Sequence, residues 1–372
     1  MSNFEMMNTI PELDVETATK VLSKMYVNYI LSETPLKKVP AVMLWGPPGV
    51  GKSQAVSEMS NEIELSTGKT VNVTDVRLLL FNPIDLRGIP VADANREFSV
   101  WLKPKIFDMK ESDDTINILF LDEISAAPPS VQAAAYQITL DRVIGEHELP
   151  DNCIVICAGN RTSDKSVAYK MPKALANRLM HIGIEPSFES WEKWAVKNGI
   201  SAKIIGFLSA RNDMLIKREI ETDEVAYTTP RSWEKVSDIL NYVDENIDSV
   251  YPLISGTIGS GAALEFRSWC NVYTKLPNTK DIFAGKVSEV PKSADCLYAI
   301  TASMIEYARH HKDDYSLIVN AIKYANKMPA DFSAVFMKDL MYIEPNYRKK
   351  LIQLPEFSKW LSEKGRMLNG SV

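Results

Sequence analysis

The segment Ala41-Val-Met-Leu-Trp-Gly46-Pro-Pro-Gly-Val-Gly-Lys-Ser53 is the strongest indicator of fold class in this 372-residue chain. It opens with an apolar run of the kind that forms a buried strand, and the residues from Gly46 to Ser53 match the pattern G-x-x-x-x-G-K-[ST]. Directly after Ser53, the apolar residues Val56, Met59 and Ile63 recur at helical spacing. A strand that runs through a glycine-rich turn into a helix is the setting in which this pattern binds phosphate groups.

The residues of this loop divide the chemistry of a nucleotide site among themselves. Its glycines let the backbone curl, so that N–H groups and the helix N-terminus point at the phosphates. Lys52 is expected to reach the β- and γ-phosphates, and the hydroxyl of Ser53 to bind Mg²⁺. The predicted nucleotide-binding residues are Gly46, Pro47, Pro48, Gly49, Val50, Gly51, Lys52 and Ser53. A glycine-rich turn with an exposed lysine is the alternative, and it leaves the flanking strand and helix unexplained.

A second apolar run, Ile118-Leu-Phe-Leu-Asp122-Glu123, ends in two acids. Asp122 is predicted to hold Mg²⁺ through water. Glu123 is the better general base, because it can deprotonate the attacking water without being occupied by the metal. Strands often end in acids, so this motif gains its meaning from the loop at Gly46 to Ser53.

Three further polar residues each allow two interpretations. Asn160, in Cys157-Ala-Gly-Asn160, could hydrogen-bond the γ-phosphate or the attacking water, or it could be a turn asparagine favoured by Gly159. Arg178 lies in Pro172-Lys-Ala-Leu-Ala-Asn-Arg178-Leu-Met, a predicted short helix, and Arg231 follows Pro230 at a predicted helix start. Either arginine could be a catalytic group or a charge that only meets solvent, and the residues alone leave this open.

The first half of the chain predicts a three-layer α/β domain with a parallel, five-stranded sheet. The predicted strands are 41–45, 70–76, 116–121, 153–157 and 180–184. Strand 70–76 lies between the two motif strands in sequence, as in NTPases that insert one strand there. Residues 85–107 mix glycine and proline with charged and apolar residues, which predicts a hairpin-like excursion. The predicted domains are 1–186, then helical segments over 187–276 and 277–372.

Composition excludes several classes of function. The chain carries 42 Lys and Arg against 48 Asp and Glu, a net charge of −6, so no general attraction to nucleic acid is expected. No secretion signal or membrane-spanning run is recognised, so no membrane insertion is expected. The four cysteines are too scattered for a disulfide framework or a metal site, and Cys153 and Cys157 lie in a predicted buried strand. These features predict a cytoplasmic protein.

In their order along the chain, these motifs resemble those of AAA+ ATPases, most closely the MoxR-like group. The resemblance covers roughly residues 20 to 245. Its motifs are Gly46 to Ser53, Leu119-Phe-Leu-Asp-Glu123 running into Ala127-Pro-Pro-Ser-Val-Gln132, Asn160, Ala174-Leu-Ala-Asn-Arg178 and Thr229-Pro-Arg-Ser232. It implies a core that binds and hydrolyses ATP with Mg²⁺, followed by an α-helical lid over 187–276 and a helical C-terminal extension over 277–372.

The same resemblance implies roles for the remaining polar residues and for partners. Asn160 is similar to the first sensor, Arg178 to the arginine finger offered to a neighbouring subunit, and Arg231 to the second sensor. Together with Glu123 they form the predicted catalytic set. The family forms rings, typically hexamers, that remodel a protein client, often with a partner carrying a von Willebrand factor A domain. The excursion at 85–107 is similar to inserts near the pore of such rings, whereas Arg161 stands where many members have proline.

Two other functions stay open. A nucleic-acid motor or restriction-type NTPase on the same fold would need concentrated basic residues. The nearest are Arg309-His-His-Lys312 and Tyr347-Arg-Lys-Lys350, which are short and are more often solvated helix faces than nucleic-acid-binding sites. A nucleotide switch that binds ATP without hydrolysing it is the second alternative, and Glu123 argues against it because a switch needs no base.

Overall fold

The computed structural model describes residues 10–161, 169, 171, 176–216, 225–244, 246–273, 276–344 and 346–364. The chain divides into two compact units, Met1–Pro186 and Ser187–Val372. Each unit has a hydrophobic core of its own.

A parallel sheet forms the centre of the first unit. The strands of this unit, in chain order, are β1 (Glu12–Leu13), β2 (Val42–Trp45), β3 (Thr70–Arg77), β4 (Ile89–Ala92), β5 (Ser99–Leu102), β6 (Thr115–Asp122), β7 (Val143–Ile144), β8 (His147–Glu148), β9 (Cys153–Gly159) and β10 (Met180–Ile184). Six of them pair in the order β1-β10-β2-β9-β6-β3, and every pairing is parallel. Strands covered on both faces carry continuous apolar runs, as β2 and β9 do.

The sheet corrects the sequence prediction in one respect and refines it in another. All five predicted strands are present, but the sheet has six strands because β1 adds to the edge beside β10. Strand β1 consists of only two residues, one of them charged, so it contains no apolar run by which it could be recognised in the sequence. Strand β3 lies at the opposite edge, and it is β9 that separates the two motif strands β2 and β6.

Helices cover both faces of this sheet. They are α1 (Val15–Leu31), α2 (Lys52–Thr67), α3 (Pro83–Arg87) and α4 (Pro129–Asp141). Helix α4 buries Val131, Ala135 and Ile138 in one cluster with alternate strand residues such as Met43 and Val155. The intervening strand residues are buried outside that cluster, as alternation across a sheet requires, and α1 and α2 pack together with contacts to β10, β3 and β6. The three-layer prediction is confirmed.

Residues 85–107 contain the predicted hairpin, formed by β4 and β5. A second hairpin, β7 and β8, packs against it: the ring Nε2 of His147 lies 2.7 Å from the carbonyl oxygen of Trp101. Gly145 turns this second hairpin with φ of 60°, and a Cβ there would lie 2.5 Å from the carbonyl oxygen of Arg87. Only glycine suits both the backbone angle and the close approach.

The second unit is helical in its described residues. Its α-helices are Phe188–Asn198, Ala202–Ala210, Pro230–Asp238, Ile247–Ile258, Ser260–Tyr273, Thr279–Phe283, Ala294–His310, Tyr315–Ala325, Ala330–Met341, Tyr347–Leu351 and Pro355–Lys364. One apolar cluster extends from Trp191 to Trp360 and includes the packed rings of Phe207, Trp233 and Phe266. Helices before and after residue 276 share this core, and the proposed split there into lid and extension stays a prediction. In the part of the chain that the structure describes, no helix is long and apolar enough to cross a membrane.

Candidate functional site

The loop between β2 and α2 has the backbone that phosphate binding requires. Gly49 and Gly51 have φ of 77° and 106°, in a region that glycine adopts without steric cost. Gly51 is the N-cap of α2, and no side chain of the described residues caps it, so the first turn presents its N–H groups. A Cβ at Gly46 would lie 2.5 Å from the carbonyl oxygen of Ile184. Glycine is therefore needed both to shape the loop and to seat it against the sheet.

Lys52 connects this loop to the end of β9. Its ammonium group donates to the carbonyl oxygens of Gly46 at 2.6 Å and Pro47 at 3.0 Å, and to Oδ1 of Asn160 at 3.0 Å. Only 8% of Lys52 is exposed. A positive charge is thus held at the centre of the loop, where the phosphates of a nucleotide would lie.

Ser53 and Asp122 form the part of the site that suits a divalent cation. The Ser53 hydroxyl lies 3.5 Å from Oδ2 of Asp122, and Oδ1 of Asp122 accepts from the N–H of Glu123 at 2.8 Å. Mg²⁺ prefers oxygen ligands and takes one or two carboxylates, with phosphate and water oxygens completing its shell. No group of three or more His, Cys, Asp or Glu able to hold a metal occurs among the described residues. The oxygen set fits Mg²⁺ bound together with a nucleotide.

Glu123 ends the strand in a left-handed conformation. Its φ is 58°, which is uncommon for a residue other than glycine and marks strain that the surroundings must hold. Its carbonyl oxygen accepts from Ala126 at 3.0 Å and Ala127 at 3.2 Å, and Ile124 N–H donates to the carbonyl oxygen of Ala158 at 3.0 Å. This turn sets the direction in which the Glu123 carboxylate leaves the strand.

Ser125 joins the Glu123 turn to the end of β9. The N–H of Asn160 donates to Oγ of Ser125 at 2.9 Å, and a Cβ at Gly159 would lie 2.7 Å from the same oxygen. The side-chain amide of Gln132, on α4, donates to the carbonyl oxygens of Ser125 at 3.2 Å and Ala127 at 3.0 Å, and these bonds hold the turn against α4. Ser125 was not singled out from sequence, because a lone serine after two acids carries no recognisable pattern.

Asp75 is a second residue that sequence reasoning missed. Asp75 lies on β3, two residues before Arg77, and Arg77 is paired in register with Asp122 of β6. Partial burial, and then the negative charge of Asp122, raise the pKa of the Asp75 carboxyl. The two acids thus create a locally negative edge next to the predicted cation site. A carboxylate in the last residues of strand 70–76 was the only available signal.

Arg178, the first of the two predicted arginines, lies away from this cluster. Arg178 is exposed, with no hydrogen bond or ion pair to any residue within the described ranges, and residues 172–175 of its predicted short helix lie outside them. It precedes β10, whereas Gly46, Asp122 and Asn160 lie at or just after the carboxyl ends of their strands. The five residues of β10 span about 16 Å, so Arg178 lies near the amino ends of the strands, whereas Lys52 lies near their carboxyl ends.

Arg231 belongs to the second unit. The helix Pro230–Asp238 begins as predicted, with Thr229 as N-cap and Pro230 in the first turn, and the side chains of Thr229 and Ser232 each accept from the other residue's backbone N–H. Arg231 is exposed in this first turn. Burial raises the pKa of Glu234, one turn along, and the neighbouring Asp238 adds to this while Arg231 opposes it. The role of Arg231 as second sensor stays a prediction.

Residues 41–181 match the family model described as "ATPase family associated with various cellular activities (AAA)". The match contains the phosphate loop, Asp122, Glu123, Asn160 and Arg178, but not Arg231. No curated protein matches the sequence.

Several solved structures are similar at low scores. A RuvB mutant from Thermotoga maritima has 17% identity and a TM-score of 0.38, covering 78% of this chain and 81% of its own. ORC1 from Aeropyrum pernix in complex with DNA has 11% identity and a TM-score of 0.38, covering 88% and 83%. PCH-2 from C. elegans has 15% identity and a TM-score of 0.32, covering 70% and 69%. These low scores decide neither the fold nor the activity of this chain.

Proposed function

We propose that this chain, whose residues 41–181 match the AAA ATPase family model, binds ATP with Mg²⁺ and hydrolyses it. One observation carries the proposal: the ends of three strands meet at the phosphate loop. Lys52 contacts Asn160 from β9, and Ser53 faces Asp122 from β6. A binding site needs only the loop, whereas hydrolysis needs a base and a group that orients the water, and both lie at these strand ends.

Each residue has a role in this reaction. Lys52 and the loop N–H groups bind the β- and γ-phosphates. Ser53 and Asp122 would hold Mg²⁺, which neutralises charge on the phosphate oxygens. Asn160 holds the γ-phosphate or the attacking water, and Glu123 takes the proton of that water. A switch that binds without turnover would not need the strained turn that aims Glu123.

We assign Arg178 to the site of a neighbouring copy. It is exposed near the amino ends of the strands, whereas the phosphate loop of its own chain lies at their carboxyl ends. This position suits a role at the nucleotide site of another copy better than a role at its own. Such a finger accounts for several powers of ten in rate in other NTPases. We therefore propose an oligomer, and by the MoxR-like resemblance a hexameric ring in which Arg231 of the helical unit acts as second sensor.

The work done by such a ring is proposed from the same resemblance. We propose remodelling of a protein client, with a partner that carries a von Willebrand factor A domain. The β4–β5 hairpin supports a contact of this kind, since Ile89, Phe98 and Leu102 are 59%, 70% and 56% exposed on it. Ile89 and Leu102 lie opposite one another in the hairpin, and clustered exposed apolar side chains are a mark of interaction sites. The free cysteines support a reducing compartment such as the cytoplasm.

The second unit offers little support for a function in nucleic-acid binding. Its two short basic clusters converge on one acid: Lys312 and Lys350 both pair with the carboxylate of Glu344, the latter at 2.6 Å. The hydrogen bonds from both lysines hold the pKa of Glu344 below its ordinary value. Charges neutralised within the helical unit are not available to bind a phosphate backbone.

Mixing two inactive variants tests the proposed function and its assembly together. Lys52→Ala removes the charge at the phosphates, and Arg178→Ala removes the finger while leaving nucleotide binding intact, so each protein alone should lose turnover. In a mixture, intact sites of the Arg178→Ala protein can receive Arg178 from Lys52→Ala copies, and part of the phosphate release should return. No recovery at any ratio would contradict a finger in trans. Turnover by Lys52→Ala alone at the wild-type rate would contradict the site itself.

A further inference from the structure

We propose that Arg161 is a positioning residue for Asn160, an inference that rests on the proposed ATPase activity. One guanidinium nitrogen of Arg161 donates to Glu12 Oε1 at 2.7 Å and to Glu185 Oε1 at 3.2 Å. The side chains of Arg161 and Glu185 are 19% and 27% exposed, so this pair is largely shielded from water, whereas Glu12 is half-exposed. It joins the end of β9 to β1 and to the residue that follows β10.

The sheet is shaped to admit this guanidinium. Strand β2 lies between β9 and β10, so the Arg161 side chain crosses the position of β2, where the phosphate loop begins. It reaches β10 at Gly183, where a Cβ would lie 2.2 Å from a guanidinium nitrogen and 3.1 Å from Cγ of Glu12. Gly183 has no positive φ that would require glycine. Its lack of a side chain is explained by the space that Arg161 needs.

Asn160 is held from both sides as a result. Its N–H donates to Ser125, its side-chain oxygen accepts from Lys52, and the next residue is tied to Glu12 and Glu185. The first of these bonds fixes the residue to the Glu123 turn, and the ion cluster fixes it to the other edge of the sheet. If the ion pairs of Arg161 were lost, the peptide bond between residues 160 and 161 could rotate and shift the side-chain amide of Asn160 relative to Lys52. A misplacement of about 1 Å can cost up to about a hundredfold in rate.

This arrangement makes the short strand β1 part of the catalytic unit. Beyond its two-residue pairing with β10, β1 contributes the Glu12 carboxylate, and that carboxylate is bonded to the neighbour of the sensor candidate. Glu12 is half-exposed, so its bond to Arg161 is expected to contribute little to the free energy of unfolding. Its effect should instead be visible in turnover.

Steady-state hydrolysis of Mg·ATP by full-length variants tests the proposal. Arg161→Ala should lower kcat roughly tenfold while KM stays within about twofold, because the phosphate loop is untouched and only the orientation of Asn160 is lost. Arg161→Glu should behave alike, and combining it with Glu12→Arg should restore most of kcat, because the ion pair is rebuilt with its charges exchanged. Glu16→Gln is the matched control: Glu16 pairs with Lys20 on the surface of α1, and kcat should not change.

The outcomes separate this inference from the proposed function. Restored kcat in the exchanged pair supports a positioning role, which a general loss of stability could not mimic. An active wild type with unchanged kcat in Arg161→Ala overturns the inference and leaves the ATPase standing. Loss of kcat without rescue, together with a lower thermal midpoint in both variants, reduces Arg161 to a structural residue. A wild type that does not release phosphate from Mg·ATP overturns the function and the inference with it.

Discussion

Single residues carry much of the geometry of this site, and Gly159 is the clearest case. It is the last residue of β9, fully buried, and its α-carbon faces Ser125 and Met43 with no room for a methyl group. This packing lets Ser125 reach the N–H of Asn160. The sequence motif Cys157-Ala-Gly-Asn160 indicated a turn at this position, but the need for glycine comes from a neighbour 34 positions earlier in the chain.

Replacing Gly159 by alanine should therefore destabilise the protein and slow hydrolysis. A Cβ would lie 2.7 Å from Oγ of Ser125 and 2.8 Å from Cε of Met43, and overpacking of this kind costs about 1–3 kcal/mol. Gly256→Ala is the matched control, since a Cβ there has nothing within 4 Å and alanine favours the helix by about 0.5–1 kcal/mol. Urea denaturation should show opposite signs for the two variants. Equal effects would contradict the packing described here.

Whole strands were easier to predict than single contacts. Strands β2, β6, β9 and β10 follow from apolar runs because a parallel strand is buried on both faces. The order of strands in space could not be read in the same way, since the burial pattern of β9 is the same whichever strands lie beside it. Its position between β2 and β6, which delivers Asn160 to Lys52, comes from tertiary pairing alone.

The packing of two helices in the second unit buries a pair of acids. Glu192, on Phe188–Asn198, and Asp339, on Ala330–Met341, are 4% and 3% exposed. Lys338 pairs with Glu192 at 3.6 Å and with Glu189 at 3.3 Å, whereas Oδ1 of Asp339 has no partner among the described residues. Burial, and then the charge of Glu192, raise the pKa of Asp339 well above its ordinary value, while Lys338 opposes this. Helical periodicity predicted helices here but gave no reason to bury two acids.

Asp339 should make the second unit less stable as the pH rises. An acid whose pKa is raised by folding binds its proton more tightly in the folded state, so its contribution is complete below the ordinary pKa of about 3.9 and is lost as pH rises through the raised pKa. Asp339→Asn removes this loss. At pH 8 its thermal midpoint should exceed that of wild type by about 2–4 °C, equivalent to roughly 1 kcal/mol, and the difference should shrink toward pH 4.

A matched variant on the same helix separates this effect from a general charge effect. Asp331 is exposed in the first turn of Ala330–Met341, so Asp331→Asn should leave the slope of the midpoint with pH unchanged. Calorimetric scans at several pH values give that slope for all three proteins. A lower midpoint for Asp339→Asn at pH 8 would mean that Asp339 is charged and stabilising, contrary to this account.

At the scale of the whole molecule, the two units differ in what their sequences disclose. The first unit carries motifs whose chemistry is readable, because phosphate binding restricts both residue type and spacing. The second is built on apolar packing around Trp233 and Phe266, and many sequences satisfy such a core. For this reason candidate catalytic residues could be named from sequence; their roles, like the client and the partner, remain proposals.

Whether Glu123 is the general base can be measured by comparing phosphate release from Mg·ATP by the full chain and by its Glu123→Gln variant. The substitution keeps the size of the side chain and removes the base, so nucleotide affinity should persist while turnover falls by about a hundredfold or more. A Glu123→Gln protein that binds ATP and turns it over at the wild-type rate would show that Glu123 is not the base.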